Sequence, residues 1–179
     1  EAEPNKRRLE QMETRIKFLN TQEKEIKIDI EEITKADIEL QKTIERITTI
    51  PGIGALTAVT VLAETNGFEL IRNKSQLASY AGLDVKEKQS GTSIKGKPRI
   101  SKKGNRNLRK SVYLPALSAV RWDENFKNIY ARLVGKHGIK MKALVAIQRK
   151  LLELIYTIFK NETVYDKEYH KNSVQTAVV

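Results

Sequence analysis

The sequence predicts a mainly α-helical protein, in which a long N-terminal coiled-coil helix precedes a compact helical domain with a basic loop. Apolar residues of the first 48 positions recur at alternating steps of three and four, which is the spacing of a coiled coil. Amphipathic stretches separated by glycine and proline then continue to about residue 159. A glycine-rich segment, residues 82–104, reads as irregular or hairpin-like, so we expect at most a small β element.

The first helix, predicted over residues 1–48, has an apolar seam interrupted only by Glu23 and Asp37. A lone helix of this kind leaves its seam in water, so it must pair with another helix or fold back on the domain. The acidic seam positions weaken a parallel homodimer and leave antiparallel or intramolecular pairing open. We expect this coiled coil to make the chain a homo-oligomer, a dimer or larger. The seam consists of Leu9, Met12, Ile16, Leu19, Ile26, Ile30, Ile33, Leu40, Ile44 and Ile47.

The compact domain is predicted over residues 49–166, with a flexible polar tail over residues 167–179. Pro51 and Gly52 end the first helix, because proline breaks the helical hydrogen bonding. Asp123 is expected to cap a helix that ends near Gly135, since aspartate is a preferred N-cap residue. The remaining helices are predicted over residues 55–64, 74–80, 105–120 and 141–159.

The net charge of +11 is concentrated in the compact domain. Residues 1–50 carry 10 Lys/Arg against 12 Asp/Glu, whereas residues 51–179 carry 23 against 10. Residues 86–110 hold ten basic side chains and one acid, Glu87. Charge focused in this way is typical of a polyanion site, and we expect DNA rather than an anionic membrane, because the segment lacks an amphipathic pattern.

Composition excludes several other classes of protein. The chain has no cysteine, which excludes disulfides and thiolate metal sites. No apolar run approaches the roughly 20 residues that a membrane-spanning helix needs, so we expect a cytoplasmic protein without a membrane partner.

The turn over residues 50–54, Ile-Pro-Gly-Ile-Gly, resembles the helix–hairpin–helix DNA-binding motif. Gly52 and Gly54 let the backbone turn tightly and approach a phosphate without a Cβ in the way. The N–H groups at the start of the next helix supply donors for an anion. The alternative is an ordinary connection between two helices, whose glycines only satisfy turn geometry.

The basic segment offers a hydroxyl group, that of Ser90, next to Gly91 and among cations. A serine that attacks a phosphodiester must lose its proton and needs positive charge to stabilise the transition state. Ser93 and Ser101 are chemically equal candidates, and a solvated loop that neutralises phosphates is the alternative. The cations that supply the charge are Lys88, Lys95, Arg99, Lys102, Lys103 and Arg106.

Arg106, Arg109 and Lys110 recur at helical spacing on the helix predicted after Gly104. They form either a solvated basic face or a surface that grips phosphates beside the serine. Several phosphate contacts together make binding strongly salt-dependent.

Four blocks of the sequence, residues 50–54, 76–83, 89–91 and 100–110, resemble in order and spacing the C-terminal transposase domain of the insertion-sequence-110 family. The relatives of that family include the Piv DNA invertases. The resemblance covers residues 45–166, and the preceding helix is similar to the coiled-coil segment that the family places before this domain.

The resemblance implies a fragment of a serine-dependent DNA transposase or site-specific recombinase. In that family the serine of the Ser-Gly pair attacks DNA and forms a phosphoserine link, and the matching residue is Ser90. The family also has an N-terminal domain whose four acidic residues bind magnesium, and some members use a structured bridge RNA as guide.

These implications set expectations for cofactors, partners and location. No strand-rich acidic domain precedes the coiled coil, so we expect an incomplete enzyme with no metal ligand or cofactor in this chain and Mg²⁺ in the missing domain. The expected partners are DNA, at element ends and target, and a guide RNA, at the nucleoid of a prokaryote. The alternatives are a non-enzymatic helix–hairpin–helix nucleic-acid-binding module and a protein whose main role is coiled-coil oligomerisation.

Overall fold

The structure, a computed structural model, describes residues 5–86, 89–90, 94–95 and 99–168, with only the backbone for residues 89, 90, 94 and 95. Within these residues the mainly α-helical prediction is confirmed. The helices are α1 (Lys6–Ala36), α2 (Ile38–Thr48), α3 (Ala55–Glu64), α4 (Lys74–Tyr80), α5 (Arg106–Ser111), α6 (Tyr113–Trp122), α7 (Glu124–His137) and α8 (Lys140–Asn161). The strands are β1 (Val85–Lys86), β2 (Gln89–Ser90), β3 (Ile94–Lys95) and β4 (Arg99–Ile100).

The prediction of one uninterrupted helix over residues 1–48 is wrong at Asp37. This residue has an extended backbone, with φ −107° and ψ 103°, and ends α1. Its carboxylate accepts a hydrogen bond of 3.0 Å from the Leu40 backbone N–H, so it also caps the start of α2. Aspartate competes with the helix for backbone donors in this way, which explains why the heptad pattern did not carry through.

The chain divides into two compact units, Glu1–Lys42 and Thr43–Val179. In the first unit α1 has no buried residue. Its apolar seam is exposed, with 45% of Leu9, 56% of Ile16 and 67% of Ile33 accessible. Ion pairs one turn apart, such as Lys27–Glu23 at 2.6 Å, contribute only a few tenths of a kcal/mol each. The helix therefore presents a continuous apolar stripe to solvent.

The core of the second unit forms around α8, whose buried face includes Ile147, Leu151 and Ile155, each with no accessible surface. Helices α6, α7 and α8 pack on one another, and α4 packs on α8. Phe68 contacts the Tyr156 ring edge to face at a centroid distance of 5.3 Å, which adds a specific aromatic contact to the apolar burial. The predicted buried face of the last helix is thus confirmed at these three positions.

A single helix was predicted over residues 105–120, and the structure has two, divided at Val112. Pro115 explains the division. Proline has no N–H to donate to the carbonyl of Ser111, four residues earlier, and its ring clashes with that carbonyl. Helix α5 therefore ends at Ser111, and Pro115 falls in the first turn of α6, where a missing N–H is tolerated.

Asp123 caps α7 as predicted, since its carboxylate accepts a hydrogen bond of 3.1 Å from the Phe126 N–H. The helix runs two residues past the predicted Gly135 and ends at His137, where Gly138 adopts the left-handed conformation with φ 68°. Glycine adopts that conformation without a steric penalty, so Gly138 rather than Gly135 ends the helix.

The segment predicted to be irregular or hairpin-like contains four short strands in nested antiparallel pairs. The outer pair is β1 with β4, in which Val85 lies opposite Ile100 and Lys86 opposite Arg99. The inner pair is β2 with β3, in which Gln89 lies opposite Lys95 and Ser90 opposite Ile94. We call residues 85–100 the ribbon; its base is the β1–β4 end and its inner part is the β2–β3 pair.

Candidate nucleic-acid interface

The turn between α2 and α3 has the hydrogen bond and dihedral angle of a type II turn. The Ile53 N–H donates to the Ile50 carbonyl at 3.0 Å, and Gly52 has φ 87°. Pro51 and Gly52 occupy the two central positions that this turn favours for proline and glycine. A Cβ on Gly52 would lie 2.6 Å from the Pro115 carbonyl oxygen and 2.9 Å from the Ala119 nitrogen. Turn geometry and packing on α6 are therefore sufficient to explain Gly52.

Gly54 is not explained by packing. A Cβ there would meet no atom within 4 Å. Its backbone is extended, with φ −96° and ψ 167°, a conformation open to any residue. It occupies the N-cap of α3 without a side-chain cap and is exposed, so the first-turn N–H groups of α3 face an open surface. Space on the solvent side is what a closely approaching phosphate would use.

The base of the ribbon is held by the close crossing of two glycines. Gly82 has φ 67°, and a Cβ on it would lie 2.7 Å from the Gly104 nitrogen. A Cβ on Gly104 would in turn overlap the Tyr80 carbonyl. Backbone hydrogen bonds cross this contact, from Asn105 N–H to the Tyr80 carbonyl at 2.6 Å and from Lys102 N–H to the Gly82 carbonyl at 3.1 Å. The two ends of the ribbon are consequently fixed to each other without room for side chains.

Asp84 and Ser101 make a second connection across the base. The Ser101 N–H donates to the Asp84 carbonyl at 2.9 Å, and the Ser101 hydroxyl donates to the Asp84 carboxylate. The hydroxyl is part-buried. Ser101 thus holds the ribbon closed, which distinguishes it from Ser90 on the inner strand pair.

Asn105 joins three parts of the second unit, and the sequence analysis did not single it out as a functional residue. Its side-chain oxygen accepts from the Leu108 N–H at 3.0 Å and caps α5. Its side-chain nitrogen donates to Glu64, at the end of α3, at 2.6 Å, and Asn107 donates to the same carboxylate at 2.9 Å. These hydrogen bonds, that of Asn105 first, lower the pKa of Glu64. The carboxylate is therefore held ionised while it fixes α5 to α3.

Arg109 is directed partly into the scaffold. Its guanidinium Nη1 donates to the Ala81 carbonyl at 2.6 Å, and the residue is half-buried. This contact braces the end of α4, next to Gly82. Arg106 and Lys110, one turn apart on α5, are exposed and form no ion pair within the described part of the chain. Those two side chains remain free to contact an anion.

The structure locates the backbone of Ser90 but leaves some of the predicted cations outside the described residues. Ser90 lies on β2, at the end of the inner pair next to Gly91. Lys95 is on β3, across from Gln89, and Arg99 is exposed on β4. Lys102 and Lys103 are exposed at the base, and Lys88 lies outside the described residues. The strand pairings thus bring Lys95 and Arg99 to the same ribbon as the serine.

Metal and membrane features were also searched among the described residues. No three His, Asp or Glu side chains there lie close enough together to hold a metal ion. The predicted Mg²⁺ site therefore has no ligand set among these residues and stays a prediction about another domain. No helix in the described ranges combines the length and apolarity needed to span a bilayer.

These features belong to a transposase domain. Residues 44–131 match a family model described as the transposase IS116/IS110/IS902 family, and this part of the chain is a domain of that family. The predicted family is thus confirmed. The match includes the α2–α3 turn, the ribbon, α5 and α6, and ends within α7.

Several relatives share this region. The chain is 33% identical over 135 residues to the pilin gene-inverting protein of Moraxella bovis, an alignment that covers 74% of this chain and 42% of that protein. It is 29% identical over 143 residues to the transposase for insertion sequence element IS1111A of Coxiella burnetii, covering 76% and 38%. An insertion element IS110 protein of Streptomyces coelicolor is 29% identical over 120 residues, covering 67% and 29%. The chain spans less than half the length of these relatives.

Proposed function

We propose that this chain is the DNA-binding and serine-bearing part of a DNA transposase or site-specific recombinase. The membership of residues 44–131 in a transposase family is the observation that carries the proposal. The relatives include a protein named for gene inversion and another named as a transposase. The charge of the second half of the chain fits a polyanionic substrate.

The reaction is a transesterification at a DNA phosphodiester, with Ser90 as nucleophile. The hydroxyl oxygen of Ser90 forms a bond to phosphorus, and the bond between phosphorus and the leaving deoxyribose oxygen breaks. The serine proton passes to a base or solvent, and the leaving oxygen gains a proton. The phosphoserine link conserves the ester, so that attack by a new strand end reverses the step and rejoins DNA.

Two structural features support Ser90 rather than Ser101. The Ser101 hydroxyl already donates to Asp84 at the base of the ribbon, so its loss would open the scaffold. Ser90 lies on the inner strand pair, beyond the fixed base. Neighbouring cations, Lys95 and Arg99 among them, would stabilise charge on the phosphorus oxygens.

The DNA backbone is held, in this proposal, by the helix–hairpin–helix turn and by α5. Gly54 leaves the start of α3 open to a phosphate, and Arg106 and Lys110 offer two exposed charges from a helix that Asn105 fixes in place. Arg109 acts mainly as a positioning residue, because its guanidinium contacts the Ala81 carbonyl. Such contacts position a duplex and read no sequence.

The exposed stripe of α1 supports coiled-coil assembly of the chain into a homo-oligomer. A helix of 31 residues without a buried side chain gains stability when its apolar residues pack against a partner. We also propose that Mg²⁺ is bound outside this chain, that a structured RNA guides the choice of site, and that the protein acts at the nucleoid in the prokaryotic cytoplasm. These three points rest on the family resemblance.

The alternative is a non-enzymatic helix–hairpin–helix binding module with coiled-coil oligomerisation. The open N-terminus of α3 and the exposed cations of α5 favour it equally, since both would serve binding alone. The two functions differ in whether a covalent DNA adduct forms at Ser90.

The deciding experiment is covalent trapping with the protein at the full length of its relatives, labelled element-end DNA, magnesium and the associated RNA. Denaturing gels would compare wild type with Ser90→Ala and, as a matched control, Ser93→Ala. We expect an adduct in wild type and Ser93→Ala and none in Ser90→Ala, with DNA binding retained in all three. An adduct that persists in Ser90→Ala contradicts the proposed nucleophile, and binding without an adduct in any variant favours the binding module.

A further inference from the structure

A second concentration of positive charge lies outside the ribbon, where α7 meets α8. Residues 125–152 contain seven Lys/Arg and no Asp or Glu. Four of these cations, Arg132, Lys136, Lys140 and Lys142, are exposed. None of the four forms an ion pair within the part of the chain that the structure describes, whereas Lys127 and Arg149 pair with Glu124 and Glu153 at 3.0 and 2.8 Å.

The connection between the helices brings the four charges together. Only Gly138 and Ile139 separate α7 from α8, and the Gly138 N–H donates to the Val134 carbonyl at 2.7 Å, which closes α7 tightly. Four residues separate Lys136 from Lys140, so their Cα atoms lie within about 14 Å of each other. Arg132 and Lys136 are one helical turn apart on the same face of α7. We call Arg132, Lys136, Lys140 and Lys142 the α7–α8 basic turn.

Helix stability does not account for this arrangement. Lys136 is in the last turn of α7, where a cation is favourable, but Lys140 and Lys142 open α8, where the helix dipole opposes positive charge. That first turn has no acid and no side-chain cap. Arg132 and Lys136 also repel each other at a spacing of four residues. Residues that break local rules in this way are expected at functional positions.

We propose that the α7–α8 basic turn is a second DNA-contacting surface, which binds the phosphate backbone of duplex DNA independently of the ribbon. This inference rests on the proposed function, because it assigns a further part of the same DNA to the same domain. Duplex DNA carries about one negative charge per 1.7 Å of axis, so three or four clustered cations meet several phosphates at once. Phosphate contacts of this kind add affinity without reading sequence.

The test uses the 179-residue chain and the salt dependence of binding to a labelled 30-base-pair duplex. The turn variant carries Lys136→Gln, Lys140→Gln and Lys142→Gln. The matched control carries Lys6→Gln, Lys17→Gln and Lys24→Gln, three exposed α1 cations that form no ion pair within the described residues. Both variants lower the formal net charge from +11 by the same three charges. Circular dichroism would verify equal helix content.

Each lost phosphate contact lowers the slope of log K against log salt by about 0.9, so the turn variant should lose about 1.8–2.7 of slope while the control keeps it. Equal slopes in the two variants overturn the inference and leave the proposed function standing. A slope lost only with a hairpin RNA of equal length overturns the assignment to DNA. Wild-type binding without salt dependence contradicts the proposed function itself.

Discussion

Gly52 and Gly54 lie two residues apart in the same turn, and the structure predicts opposite consequences for replacing each with alanine. Gly52→Ala places a Cβ 2.6 Å from the Pro115 carbonyl oxygen, at a backbone φ of 87°. Gly54→Ala places one in open space at an extended φ. Gly52 should therefore matter for the free energy of unfolding, and Gly54 for contact with DNA.

The magnitudes separate the two variants clearly. At Gly52 a left-handed backbone costs about 1–2 kcal/mol and overpacking about 1–3 kcal/mol, while the stiffer unfolded chain returns about 0.4–1 kcal/mol. The net loss for Gly52→Ala is about 1–4 kcal/mol. At Gly54 the loss of a favoured N-cap residue, up to about 1 kcal/mol, is largely offset by the same unfolded-chain term.

Urea unfolding followed by tryptophan fluorescence measures this difference. Trp122 is the single tryptophan of the chain and ends α6, the helix on which Gly52 packs, so its emission reports on the second unit without the signal of α1. We expect a lower midpoint for Gly52→Ala and a nearly unchanged one for Gly54→Ala. DNA affinity should fall about 3–10-fold in Gly54→Ala, the equivalent of one weakened hydrogen bond. Equal stability of Gly52→Ala and wild type would refute the packing argument.

Three further predictions concern the scaffold. Ser101→Ala should lose about 1 kcal/mol of unfolding free energy with its hydrogen bond to Asp84, measured by urea unfolding, whereas Ser90→Ala should lose none. Because the pKa of Glu64 is lowered in the folded state, its stabilisation is present above the unfolded value near 4.5 and is lost as pH falls; Glu64→Gln should flatten urea midpoints between pH 6 and 3, and an unchanged pH profile would contradict this. Asp37→Ala should raise helix content by circular dichroism by joining α1 to α2, and a decrease would show that its cap dominates.

Local patterns in the sequence were enough to predict several helices. The bounds of α3 and α4 agree with the predicted 55–64 and 74–80, because proline, glycine and an N-cap asparagine punctuate them. The breaks at Asp37 and Val112 also had sequence signals, a capping aspartate and Pro115, but the regular apolar spacing on both sides outweighed them. Periodicity alone therefore gives the helical face correctly and can miss a change of helix.

The contacts that fix the candidate site could not be predicted in the same way. Glu64 and Asn105 are 41 residues apart and meet only because α3 packs against α5. The contact between Arg109 and Ala81, and the overlap of Gly82 with Gly104, likewise depend on the tertiary fold. The sequence predicted Arg109 as a DNA contact because helical spacing shows only that a basic residue shares a face with its neighbours. It does not show which carbonyl lies beneath that face.

Mass spectrometry of a trapped protein–DNA adduct would test the central claim most directly. After nuclease digestion, trypsin should release residues 89–95, which contain three hydroxyl groups, those of Ser90, Thr92 and Ser93. Fragmentation of that peptide locates the nucleotide remnant on one of them. The serine-recombinase account predicts the remnant on Ser90. A remnant on Thr92, on Ser93 or on Ser101 in a different peptide would contradict it.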